Sequence, residues 1–250
     1  DYDMNYYLAA AYRKNGQPAE AKKVYDAILG LKPEEKDAYF LRGSAELELG
    51  DYESAKADFD QAISMDPKNY DRLIEIYEAL ADYGYREVGQ EYLQNVLDTA
   101  KQLDAYDSGR IYYYLGDYQK AYLALEEAKG KGGVDSYLYL GKAYAATGDY
   151  NYASSVYSNY LSKQGPDAEI YNQLGLCELA KKDYQKALEA FQAGKQIEGN
   201  SLMQTLSFNE IVAYEYLQDY QKAAVLLNAY LQNYPDDQAA IREQQFLSTR

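Results

Sequence analysis

The sequence predicts an all-α chain of stacked helical hairpins, and three observations carry that reading. Small residues recur at Ala21, Ala55, Gly89, Ala121, Ala153, Ala187 and Ala223, separated by 34, 34, 32, 32, 34 and 36 residues. Four residues after each stands a large side chain: Tyr25, Phe59, Leu93, Leu125, Tyr157, Phe191 or Leu227. Twelve residues before each stands Ala9, Gly43, Tyr77, Gly109, Gly141, Gly175 or Ile211, and Gly in mid-helix costs about 1 kcal/mol against Ala. A Gly recurring there implies that a neighbouring helix approaches closely.

The period divides the chain into units at about 2–35, 36–69, 70–101, 102–133, 134–167, 168–203 and 204–235, with a terminal helix over 236–250. In the first, Pro18 fits the opening turn of a second helix and Pro33 closes it. The second unit carries a complete turn, Gly50-Asp51-Tyr52, in which Gly suits a left-handed helix end and Asp caps the next helix; Pro67 closes it. In the third, Tyr77 and Gly89 invert the usual sizes across one helix contact, and the second helix is expected to run on through 97–103. Gly116-Asp117-Tyr118 and Gly148-Asp149-Tyr150 repeat the turn in the fourth and fifth, Lys129 to Gly133 forms the most flexible joint by composition, and Pro166 ends the fifth. Lys182-Asp183-Tyr184 and Gln218-Asp219-Tyr220 keep only two letters of the turn, Glu198 to Ser201 makes a longer connection, and Pro235 ends the seventh unit. Asp236 and Asp237 are the cap candidates of a final helix with a polar outer face.

This pattern resembles the tetratricopeptide repeat family, whose unit of two antiparallel helices stacks into a right-handed superhelix, an α-solenoid. The resemblance spans nearly the whole chain and implies packing rather than an activity. It also implies that exposed positions of each first helix line an inner groove. Matched residue by residue, these include Tyr6, Phe40, Ile74, Tyr106, Arg110, Leu138, Lys142, Asn172 and Phe208, with Tyr113, Tyr114 and Tyr139 beside them. Some members grip a peptide carboxylate with an Asn and Lys/Arg clamp. Here Tyr6, Phe40 and Ile74 stand where one clamp lysine belongs, and Ala10, Ser44 and Glu78 replace an asparagine, so that clamp is not reproduced.

Composition narrows the function further. A net charge of −15, from 40 acidic and 25 basic residues, repels phosphate backbones and argues against nucleic acid. No run is long and apolar enough to cross a membrane. The chain starts at Asp1, which suggests an upstream export signal or lipid anchor, with a cytoplasmic start as the alternative. The absence of His removes the commonest general base and metal ligand, and the single Cys177 reads as a small buried filler. Adjacent carboxylates such as Glu126 and Glu127 point to different helix faces, and no phosphate loop or nucleophile elbow is present. The reading is therefore a non-catalytic scaffold without a cofactor. Its partner is expected to be a protein or peptide, one carrying an acidic group or free carboxylate, held by the basic pair Arg110 and Lys142 among the tyrosines. Arg110 and Lys142, 32 residues apart, would lie on neighbouring helices about 8–10 Å between axes; the competing account is that they neutralise acids such as Asp107. Thirty-two tyrosines leave two alternatives in view, a carbohydrate-binding module and a peptide-sensing regulator.

Overall fold

The computed structural model describes residues 2–248, and among them every regular element is an α-helix. The helices fall into two compact units, 1–103 and 104–250. The first holds α1 (Tyr2–Lys14), α2 (Pro18–Leu31), α3 (Lys36–Glu48), α4 (Tyr52–Met65), α5 (Tyr70–Asp82) and α6 (Arg86–Thr99). The second holds α7 (Ala105–Leu115), α8 (Tyr118–Glu127), α9 (Gly133–Ala146), α10 (Tyr150–Gln164), α11 (Ala168–Ala180), α12 (Tyr184–Lys195), α13 (Met203–Tyr216), α14 (Tyr220–Asn233) and α15 (Gln238–Leu247). Consecutive helices pair into seven hairpins, an all-α solenoid arrangement, and α15 packs on α14 as the terminal helix.

The repeated Gly is explained by its partner sixteen residues on. A Cβ at Gly141 would lie 2.2 Å from the ring of Tyr157, at Gly175 2.3 Å from Phe191, and at Gly109 2.5 Å from Leu125. The size inversion in the third hairpin is real: a Cβ at Gly89 would meet the Tyr77 ring at 2.9 Å. These contacts build the core, with Tyr25, Phe59, Tyr157 and Phe191 fully buried. The turns behave as their sequence demands. Asp51, Asp117, Asp149, Asp183 and Asp219 each accept a backbone N–H three residues on, and Asp237, rather than Asp236, caps α15. Where Gly is missing from the turn, Lys182 and Gln218 take φ of 65° and 61°, a left-handed conformation that costs an L side chain roughly 1–2 kcal/mol.

Two expectations need correction. The second helix of the third unit does not run through 97–103: α6 ends at Thr99 and Ala100 is extended. The Thr99 hydroxyl bonds back to the Asn95 carbonyl at 2.6 Å, a local bond that competes with helix continuation. Nor is the Lys129 to Gly133 joint a loose tether. Gly130 N–H donates to Ser136 Oγ at 3.2 Å, and Gly132 lies so close under the Tyr106 ring that a Cβ would sit 2.5 Å from it.

Most tyrosines serve packing. Tyr52 stacks on Tyr85 at 4.1 Å between centroids, Tyr122 on Tyr144 at 4.5 Å and Tyr184 on Tyr216 at 4.9 Å. Their hydroxyls find polar partners at the edge, as when Tyr144 donates to Glu126 and Tyr39 to the Pro33 carbonyl. Cys177 is buried as expected, and burial pushes its thiol up to about 12, which leaves it inert.

Candidate functional site

The first helices of the second unit, α7, α9, α11 and α13, bring most of the sequence-predicted residues onto connected contacts. Arg110 lies with its guanidinium 4.3 Å from the Tyr106 ring centroid and forms an ion pair with Asp107. It is only 7% exposed. Arg110 lies against its own helix at these two contacts, three residues from its acid and four from its ring. Lys142 is about one-third exposed at its side chain and pairs with Glu169 of α11 at 3.5 Å. Glu169 also accepts from Gln173 at 2.8 Å. The two predicted cations are thus each matched by a carboxylate.

The tyrosines between them form a closer cluster than the cations do. Tyr114 and Tyr139 have hydroxyl oxygens 3.0 Å apart, and their ring centroids are 5.9 Å apart at 62°. Tyr113 meets both edge-on, at 5.5 Å from Tyr114 and 5.6 Å from Tyr139. All three residues are half-buried. Asn172 is buried and accepts from Asn209 Nδ2 at 2.9 Å, linking α11 to α13. It serves as an interhelix tie.

Tyr6 and Phe40 belong to the first unit and form a separate arrangement. Phe40 lies under the guanidinium of Arg72, 4.0 Å from its centroid, and Arg72 pairs with Asp37 at 2.8 Å and Glu75 at 3.0 Å. Tyr6 packs against Tyr25 with centroids 6.3 Å apart. Burial, together with Glu35 and Asp37, pushes its phenol up to about 12, so it stays protonated. Sequence reasoning missed Arg72, Glu169 and Asn209. Asp37 and Arg72 are opposite charges 35 residues apart, close to one repeat, and that spacing could have signalled the pair.

Sequence comparison agrees with this geometry. A tetratricopeptide repeat model matches residues 6–70 and 138–201, just over half of the chain, and a second such model matches 208–237. The chain belongs to the tetratricopeptide repeat (TPR) family. A mouse FK506-binding protein-like protein is 40% identical over 62 residues, which are 25% of this chain and 18% of that protein, so the chain spans less than a fifth of that relative. Among solved structures, a TPR protein from Parabacteroides merdae superposes with a TM-score of 0.58 at 16% identity, covering 85% of this chain and 84% of that one. PilW, a widely conserved type IV pilus biogenesis factor, gives 0.54 at 16% identity over 98% and 97% of the two chains. At such identities the likeness is one of fold. A TPR array is in general a protein-interaction scaffold, and that class is what the family supports here. Among the described residues no helix is long and apolar enough to cross a membrane.

Proposed function

We propose that this TPR chain binds a segment of a protein partner along the first-helix wall of its second unit, with Tyr113, Tyr114 and Tyr139 as the anchor. The observation that carries the reading is the half-buried cluster of three rings joined by the 3.0 Å hydroxyl pair. Rigid aromatic rings supply contact area at low conformational cost, and phenol hydroxyls can serve peptide carbonyls or amides. The acidic-group preference expected from Arg110 and Lys142 finds less support, because Asp107 and Glu169 already compensate those cations. A neutral or mildly basic segment suits a chain of net charge −15 better. Lys142 sits at the edge of the anchor and contributes to register; Arg110 holds Tyr106 in place.

Selection of peptides from a random displayed library against the folded chain tests this. Selected peptides are expected to lose at least ten-fold in affinity for the Tyr113→Ala/Tyr139→Ala double variant while its helicity, read by circular dichroism, stays unchanged. Equal affinity for both proteins would remove the cluster from the binding surface.

A further inference from the structure

The geometry points to Tyr114 and Tyr139 as a site of oxidative cross-linking, at which a dityrosine bond would join α7 to α9. This does not depend on the partner reading. The two phenols stand on different hairpins, their oxygens are 3.0 Å apart, and both rings are half-buried rather than sealed. Dityrosine forms between ring carbons ortho to the hydroxyl, and those carbons adjoin the two oxygens that lie 3.0 Å apart, on rings inclined at 62°. The pairs Tyr52–Tyr85 and Tyr184–Tyr216 meet face on face instead, at 18° and 14°.

Competition for a one-electron oxidant comes from the other tyrosines, and a phenol already in contact with another is the one set to couple within the chain. There is no Trp and no His, and the single thiol is buried and held protonated. Tyrosines are then the main donors beside three methionines, and Tyr113 touches both members of the pair, so a radical formed on it has two neighbouring phenols to oxidise. The hydrogen bond between the pair gives the departing phenolic proton a direct acceptor. Prior positioning then favours coupling within the chain over coupling between chains, as for any well-oriented intramolecular step.

The oxidant is hydrogen peroxide acting through a peroxidase. Each phenol gives up one electron and one proton. The two radicals join through a new bond between their ortho carbons, and the hydrogens on those carbons move to the ring oxygens as aromaticity returns. The two electrons and two protons reduce one peroxide to two waters, so the protein ends lighter by two hydrogens.

The test is exposure of the dilute full chain to a peroxidase and peroxide, followed by trypsin and mass spectrometry. Cleavage after Arg110, Lys120, Lys131 and Lys142 places Tyr114 in the peptide 111–120 and Tyr139 in 132–142. The expected result is a conjugate of these two peptides, two hydrogens lighter than their sum, with fragments locating the bond at Tyr114 and Tyr139. It should be the main intramolecular product and should vanish in both Tyr114→Phe and Tyr139→Phe, variants that keep the ring and its packing. A conjugate that persists in either variant, or cross-links found mainly between chains or at Tyr52 with Tyr85, overturns the assignment.

Discussion

The two units join their first helices by different chemistry. In the first unit the ties are ionic: Arg13 of α1 pairs with Glu48 of α3, and Arg72 of α5 reaches back to Asp37 and the Phe40 ring of α3. In the second unit the ties are mixed: the Tyr114–Tyr139 hydroxyl pair between α7 and α9 and the Asn209–Asn172 amide bond between α13 and α11 are uncharged, while Lys142 of α9 pairs with Glu169 of α11. The same grouping of an arginine, an aromatic ring and an aspartate occurs in both units, assembled differently. Arg72 draws it from two hairpins and holds them together; Arg110 meets both its ring, Tyr106, and its acid, Asp107, within α7. One constellation of residues can thus be assembled across hairpins or within one helix, depending on which helix supplies the guanidinium.

The largest effect expected to sharpen this comparison is at the close-approach glycines. Gly141→Ala in the second unit pushes a Cβ to 2.2 Å from Tyr157, whereas Gly43→Ala in the first meets Phe59 at 2.8 Å. The former should cost about 2–3 kcal/mol and the latter about 1 kcal/mol, measured by denaturant unfolding. Equal costs would mean that Tyr157 shifts freely and that the second unit is packed no more tightly at this contact.

A buried acid sets the next effect, and it belongs to the first unit. Glu46 is 3% exposed, and burial, reinforced by Asp58, pushes its carboxyl up to about 7 against the pull of Lys22 and Arg42. A carboxyl raised in the folded state makes stability fall as pH rises, here from about 4.5 to about 7, because the unfolded chain releases that proton first. Glu46→Gln should therefore be neutral near pH 4 and stabilising by about 1–3 kcal/mol at pH 8. A pH-independent difference in unfolding midpoints would show that Glu46 stays ionised in the folded protein.

Smaller effects test the ties themselves. Arg72→Ala removes two ion pairs and a ring contact and should cost about 1 kcal/mol, an effect that shrinks in high salt. Tyr139→Phe removes the hydroxyl that meets Tyr114 and should cost about 0.5–1.5 kcal/mol with little salt dependence. If salt moved both variants alike, the contrast between ionic and uncharged ties would fail. Lys142→Ala should cost less than about 1 kcal/mol, since its partner pair is partly exposed.

Much of the fold was legible in the chain because local rules and repeat spacing act together. Gly141 and Tyr157 stand sixteen residues apart in a recurring pattern, and Asp149 after Gly148 reads as a turn and cap from chemistry alone. The site was legible only in part. Repeat spacing placed Tyr113, Tyr114 and Tyr139 near one another, but it carries no information on side-chain direction. Arg110 therefore looked like an exposed groove cation when its guanidinium is folded onto Tyr106. Arg72 went unseen because the repeat alignment marks packing positions and does not say which acid or ring a guanidinium reaches, and the end of α6 was overrun because Ala, Lys, Gln and Leu all favour helix.

The sequence by itself determined the hairpins, their turns and the packing of small against large residues, since each follows from steric size and backbone conformation at a fixed spacing. Only the tertiary structure decided which charges are spent within the protein and which rings remain half-buried. Those outcomes depend on where long side chains from different helices meet, and a guanidinium or phenol can reach several neighbours from one backbone position.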